Sequence, residues 1–118
     1  MTKIVEKPWG QEIWIAHNNG HYLGKRIEIN RGARLSLQKH CDKHETIFLH
    51  SGVALVTLPS QFEKRYICGS DSFEERTLVI PPSAVHRIKA LSNHVILYEF
   101  STNHPDDVIH LEDDYGRT

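Results

Sequence analysis

Cysteine is scarce in this chain: Cys41 and Cys68 are the two thiols among 118 residues. Two are too few for the disulfide framework on which small secreted domains depend, and they fit a reduced compartment. No apolar run approaches the roughly 18 residues of a membrane-crossing helix, so no membrane span is expected. The opening Met1-Thr2-Lys3-Ile4-Val5-Glu6 lacks the apolar stretch of a secretory leader, and cytoplasmic localisation is the expectation. Charge of one sign is missing as well. Fourteen basic side chains meet fifteen acidic ones for a net charge of −1, with no Lys/Arg stripe, which argues against nucleic acid as a partner. Alanine is thin: 5 residues against 11 Ile, 7 Val and 6 Thr. β-branched side chains lose rotamer freedom in helices and pack well on pleated surfaces, so strands are favoured over helices.

Short alternating segments separated by turn residues predict strands at 11–16, 22–30, 34–40, 45–50, 53–58, 64–68, 77–80, 86–90 and 94–100. Turns are expected at 18–20, 30–32, 51–52, 59–61, 69–71, 81–83 and 92–93, where Asn, Gly, Pro and Ser cluster. Many short strands at such spacing mean an all-β antiparallel sandwich or barrel. No repeat or linker divides the chain, so residues 1–118 read as a single domain. The acidic tail after Pro105 reads as a short helix or an extended cover.

Histidine is abundant, with nine residues. Strand alternation puts Ser36, Gln38 and His40 on one face, with Leu35, Leu37 and Lys39 on the other. Glu45 opens the next strand on the same face as Ile47 and Leu49. A carboxylate on an apolar face is costly unless it is paired or coordinated. Far downstream, the run Pro81 to His86 delivers another histidine to the start of a strand. The bland alternative is a polar face on an edge strand.

These intervals resemble the first motif of the cupin superfamily, which is Gly, five residues, His, one, His, three or four, Glu, six, Gly. Here Gly32, Gln38, His40, Glu45 and Gly52 fit every interval, with Gln38 in the place of the first histidine. Pro81-Pro82-Ser83-Ala84-Val85-His86 resembles the second motif, with Ser83 where the family has glycine and Ala90 where it has a closing asparagine. The resemblance implies a cupin-type antiparallel jelly-roll β-barrel with a metal in its mouth. Pro8-Trp9-Gly10, the Leu35-Ser36-Leu37-Gln38 run and the closing Asp113-Asp114-Tyr115-Gly116-Arg117 are more specific. Together they are similar to the C-terminal domain of type II phosphomannose isomerases, which are often fused to mannose-1-phosphate guanylyltransferases. One departure is Lys43, where that family has arginine between the histidine and the glutamate.

The implied metal ligands are Gln38, His40, Glu45 and His86, with His44 and Asp42 as alternative donors. Imidazole and carboxylate suit one divalent metal, zinc foremost, with manganese, iron or nickel also fitting. The implied chemistry is that of a mannose-6-phosphate isomerase-like, metal-dependent sugar-phosphate isomerase in nucleotide-sugar or polysaccharide metabolism. Lys43, His44 and Glu45 are the candidates for its general base. Lys25, Arg34, Arg87 and Arg117 are the candidate cations for an anionic sugar phosphate. Other readings are a non-catalytic metal-containing sugar-binding cupin, or another cupin enzyme such as an oxygenase or lyase. Trp9 and Trp14 read as core or interface anchors. His17, His21, His50, His94, His104 and His110 read as surface residues, Cys41 as facing away from the ligands, and Cys68 as a buried small hydrophobe. Edge strands of a small jelly roll need covering, so a homodimer belongs to the expectation.

Overall fold

The computed structural model describes residues 2–58 and 72–117, together with the backbone course of the strand Glu63–Ile67. The Val- and Ile-rich segments form β1 (Lys3–Lys7), β2 (Gly10–Ala16), β3 (Tyr22–Ile29), β4 (Leu37–Lys39), β5 (Glu45–Ser51) and β6 (Ala54–Leu58). They continue as β7 (Glu63–Ile67), β8 (Thr77–Ile80), β9 (Arg87–Ala90), β10 (Val95–Thr102) and β11 (Ile109–Glu112). Among the described residues the one helical piece is a 3₁₀ turn at Glu74–Arg76.

All pairings are antiparallel. A six-stranded sheet runs β1-β2-β3-β10-β5-β8, opposite a three-stranded sheet β7-β6-β9 and a two-stranded ladder β11-β4. Hydrogen bonding does not close these three sheets into one continuous barrel among the described residues. They share a core all the same: Ile27, Leu49 and Leu97 of the large sheet pack with Val56, Ile88 and Ala90 of the small one. Each fully buried Leu or Ile contributes about 1.5–3 kcal/mol, so this seam dominates the stability.

The inward face of the large sheet has two ends. On β3, β5 and β10, alternation buries Ile29, Leu49, Val95 and Leu97 at one end. The same alternation buries Lys25, Glu45, Glu99 and Ser101 at the other. Cross-strand register sets Glu99 against Lys25 and Ser101 against Glu45. One end of the layer is therefore core and the other is a polar pocket.

The sequence-predicted strands appear with small shifts. The segment 34–40 is regular only over Leu37–Lys39, with Arg34 and Gln38 joined to Lys89 and His86 by isolated bridges. β1 was not expected, because Lys3 to Lys7 carries three charges over five residues. The acidic tail takes the extended alternative: Ile109–Glu112 pairs with β4. The predicted turns at 59–61 and 69–71, and the reading of Cys68, lie outside the described residues.

Candidate metal centre

Three short segments deliver three side chains to one point. His40 follows β4, Glu45 opens β5, and His86 precedes β9. All three are buried, at 2 %, 2 % and 1 % exposure. Glu45 Oε1 lies 3.6 Å from His40 Nε2 and 3.5 Å from His86 Nε2. The ring centroids are 5.1 Å apart, tilted by 48°.

The outer nitrogens of both rings decide their tautomers. His40 Nδ1 is 2.6 Å from the Asp107 carbonyl, and His86 Nδ1 is 2.9 Å from the Ala84 carbonyl. A carbonyl only accepts, so each Nδ1 carries a proton and each neutral ring turns its Nε2 lone pair towards Glu45. Two lone pairs facing a carboxylate repel unless positive charge lies between them. His40 Nε2 is buried with no hydrogen-bond partner. Ligands held about 2.0–2.2 Å from one zinc-like ion at roughly tetrahedral angles lie about 3.4 Å apart, close to the spacings here. Imidazoles braced by backbone carbonyls at the far nitrogen are also the usual support of metal-binding histidines. The residues present therefore fit a divalent cation, with His40, Glu45 and His86 as its donors.

Charge balance points the same way. Lys43 Nζ sits 2.9 Å from Glu45 Oε2, an ion pair whose alignment is too poor for a hydrogen bond, and 3.2 Å from Glu99 Oε2. Lys25 pairs with Glu12 at 3.5 Å and lies 4.3 Å above the Trp14 ring, whose N–H donates to Glu12. These three carboxylates and two ammoniums leave one negative charge in excess at the floor. Burial opposes the charge on Lys43, yet Glu99 and Glu45 outweigh it and raise its ammonium.

Gln38 stands at the rim of the triad. Its amide nitrogen is 3.4 Å from His86 Nε2, and its carbonyl accepts from Ser36 Oγ at 2.9 Å. Above the centre lies a cavity of about 390 Å³, walled by β1 to β3 and by the tail from Pro105 onwards. Lys3, Lys7, Lys25, Lys43 and Arg117 are its cations.

Of the sequence-predicted residues, the structure brings Gln38, His40, Glu45, His86, Lys43, Lys25 and Arg117 to this cavity. It leaves four elsewhere. His44 is exposed beyond the turn, its backbone N–H bonded to Thr102. Arg34 forms a bidentate pair with Asp114 at 2.6 and 2.7 Å on the outer surface. Arg87 is buried, but it donates to the backbone carbonyls of Leu35 and Glu112 and so pins the tail. Asp42 is exposed and offers its N–H to Asp107, and Cys41 is an exposed free thiol. His110 corrects its surface reading. It lines the cavity, half-buried, 2.6 Å from Ser36 Oγ. Burial and the neighbouring Arg117 push its imidazole below the ordinary value, against the opposing pull of Asp113. Strand β11 was the missing signal, because a tail read without a partner places no histidine. Trp9 is core, whereas Trp14 is cavity wall.

The antiparallel jelly-roll layers and the His–Glu–His geometry together define a cupin-type β-domain with a candidate divalent-metal centre. The chain belongs to the mannose-6-phosphate isomerase C-terminal family, whose model matches residues 1–113. The alginate biosynthesis protein AlgA of Pseudomonas aeruginosa is 33% identical over 121 residues, covering 97% of this chain and 23% of that protein. A mannose-1-phosphate guanylyltransferase of Salmonella muenchen is 29% identical, covering 95% of this chain and 23% of its own length. The chain thus spans about a quarter of the curated relatives it matches. Among solved structures, KdgF from Halomonas sp. superposes with a TM-score of 0.72 at 20% identity, covering 88% of each chain. The capsular polysaccharide assembling protein CapF from Staphylococcus aureus gives 0.77 at 16% identity, over 95% of this chain and 34% of that one. These two likenesses carry the fold alone.

Proposed function

We propose that residues 1–118 form one isomerase domain that interconverts an aldose phosphate and a ketose phosphate of the mannose 6-phosphate and fructose 6-phosphate class, in polysaccharide or nucleotide-sugar synthesis. The observation that carries this reading is the His40, Glu45 and His86 centre at the floor of a cavity lined by both cations and carboxylates, in a chain of this family. When bound there, a divalent metal supplies Lewis acidity to neighbouring carbonyl and hydroxyl oxygens of the sugar. The chain's own residues do the rest. Lys43 holds Glu45 ionised and in place. Lys3 and Lys7 offer charge to the phosphoryl group, while Arg117 is held bidentate by Asp113 at 2.8 and 2.9 Å.

Moving a proton between adjacent carbons needs a base within the cavity. Lys43 is locked as a cation between two carboxylates, His44 lies outside, and Glu45 faces the metal. Glu12 lines the cavity with Oε1 taken by Trp14 and Lys25, which leaves Oε2 for the proton. A coupled assay on mannose 6-phosphate with zinc- or manganese-loaded protein tests the reading. Turnover that depends on metal and falls at least about 100-fold in Glu12→Gln is expected. No turnover of any hexose phosphate by fully metal-loaded protein overturns it.

A second reading is a non-catalytic sugar-binding cupin. It is favoured by the burial of Lys43 between Glu45 and Glu99, a position from which it braces rather than reaches a ligand. Thermal protection by sugar phosphates without turnover is its signature. Cytoplasmic localisation and a homodimer belong to the same proposal, and sedimentation equilibrium tests the dimer.

A further inference from the structure

The outward face of the six-stranded sheet carries side chains that a solvent-facing sheet does not need. Alternation sends Lys25, Glu45 and Glu99 inward, so Tyr22 and Gly24 of β3, Phe100 of β10 and Val79 of β8 point out. Tyr22, Phe100 and Val79 are each more than half exposed, as is Ile4 on the same face of β1. Monomeric domains rarely leave a contiguous apolar face of this breadth bare.

A dent lies in the middle of this face. One register row crosses the sheet as Val79, Thr46, Phe100, Gly24 and Ala16. Gly24 stands directly opposite Phe100 and opens a hollow of about 620 Å³, walled by Ile15, Tyr22 and Phe100. The chain's own packing does not require glycine there. Its φ is outside the left-handed region, and a Cβ would come no closer than 3.4 Å, to the Ala16 side chain. Glycine inside a strand weakens it and often marks the close approach of another group.

The order β1-β2-β3-β10-β5-β8 puts the midline of the sheet at the β3–β10 seam, where Gly24 and Phe100 face each other. Consider two copies stacked face to face about a twofold axis along that seam. Strand β3 of each then lies over β10 of the other, and β2 over β5. Because Gly24 and Phe100 share one register level, Phe100 of each copy enters the Gly24 dent of the other with no slide along the strands. The same rotation sets Arg26 over Tyr98. It also turns Phe73, which packs on Phe48 of β5 at 5.8 Å, towards Ile13 and Ile4. Six strands about 4.8 Å apart and about seven residues long offer roughly 600 Å² before side-chain relief is counted, near the roughly 800 Å² that each partner gives to a standard interface. Charge favours a like copy as well. Arg26 and Glu28 offset each other at 2.7 Å, and the charged residues of the dent, Lys25 and Glu45, are buried and paired with Glu12 and Lys43. A charged partner finds no counter-charge here, and a second copy meets no repulsion.

We propose that a second copy of this chain seats on this face about that axis, with Phe100 of each copy in the Gly24 dent of the other. This face rests on the homodimer proposed above and needs neither metal nor substrate. Sedimentation equilibrium of the full chain tests it. The unsubstituted chain is expected to dimerise. Phe100→Glu puts a charge in the dent, and Gly24→Val fills it from within. Each is expected to raise the dissociation constant at least about 30-fold, the scale of an interface hot spot. Both positions face outward, so far-UV circular dichroism of the resulting monomers is expected to match that of the unsubstituted chain. Should one variant fail to fold, the other decides. A dimer that survives either substitution in folded protein overturns the face but spares the homodimer, which then pairs through another surface such as the edge of β1. An unsubstituted chain that stays monomeric at about 100 μM removes both, whether or not the face then takes up phosphatidylcholine vesicles.

Discussion

Ser83 sits in the left-handed region at φ 69°, at the position where the cupin motif has glycine. A Cβ in that region costs about 1–2 kcal/mol. Glycine's greater freedom in the unfolded chain offsets about 0.5–1 kcal/mol of what its substitution would gain. Ser83→Gly is therefore expected to stabilise the fold by about 0.5–1 kcal/mol, read as a higher urea midpoint at unchanged slope. The bond from its backbone N–H to the His40 carbonyl, 2.7 Å long, needs no side chain and survives the change. The histidines respond in the other direction. His40→Ala and His86→Ala are each expected to remove most of the divalent metal found by elemental analysis, whereas Cys41→Ser at an exposed thiol leaves it unchanged. Full metal in both histidine variants would exclude the centre.

At the scale of elements, the tail and the turn before β5 depend on each other. The Asp107 carboxylate accepts the backbone N–H groups of Cys41, Asp42 and Lys43 at 2.9, 2.7 and 2.9 Å. These bonds bring its pKa down to about 2 from the model-compound value of 3.8. A carboxyl depressed in the folded state stabilises fully above its unfolded pKa and loses that contribution as pH falls through the folded one. Stability is thus expected to decline between about pH 4 and pH 2, and Asp107→Ala to flatten that decline while costing about 1 kcal/mol at neutral pH, since solvent screens these exposed bonds. Thermal melts of both proteins across this range are the check. Gly10 is the other hinge of the architecture. Its φ of 152° and the Glu28 carbonyl, 2.0 Å from where a Cβ would stand, leave no room for a side chain. Gly10→Ala is expected to cost at least about 2–3 kcal/mol, because backbone rather than a flexible side chain must move. Strand alternation and motif spacing made most of the strands and the residues Gln38, His40, Glu45 and His86 legible in the sequence. β1 and β11 were not legible. β1 carries three charges over five residues, and β11 is a four-residue strand whose extension is imposed by β4 far upstream. That gap hid His110 and Lys7. It also left Arg34 and Arg87 as ligand candidates, because the acidic tail that occupies them had no place in the reading.

For the molecule as a whole, a cation held by groups from three separate segments favours the folded over the unfolded chain. Metal at about 100 times its dissociation constant is expected to add about 2.7 kcal/mol, a rise in Tm on the order of 10 °C that a chelator reverses. A melting temperature indifferent to chelator would mean that no ion bridges those segments. The surplus negative charge sealed beneath the cavity also dictates an order of events. Without its ion, the hollow offers a phosphate ester no net attraction, because the carboxylates of its lining match the lysines and Arg117 in number. With the ion in place, the same hollow turns net positive and attracts one. Admission is therefore sequential, ion before sugar, and a bare chain offered inorganic phosphate should hold it far more weakly than a charged one.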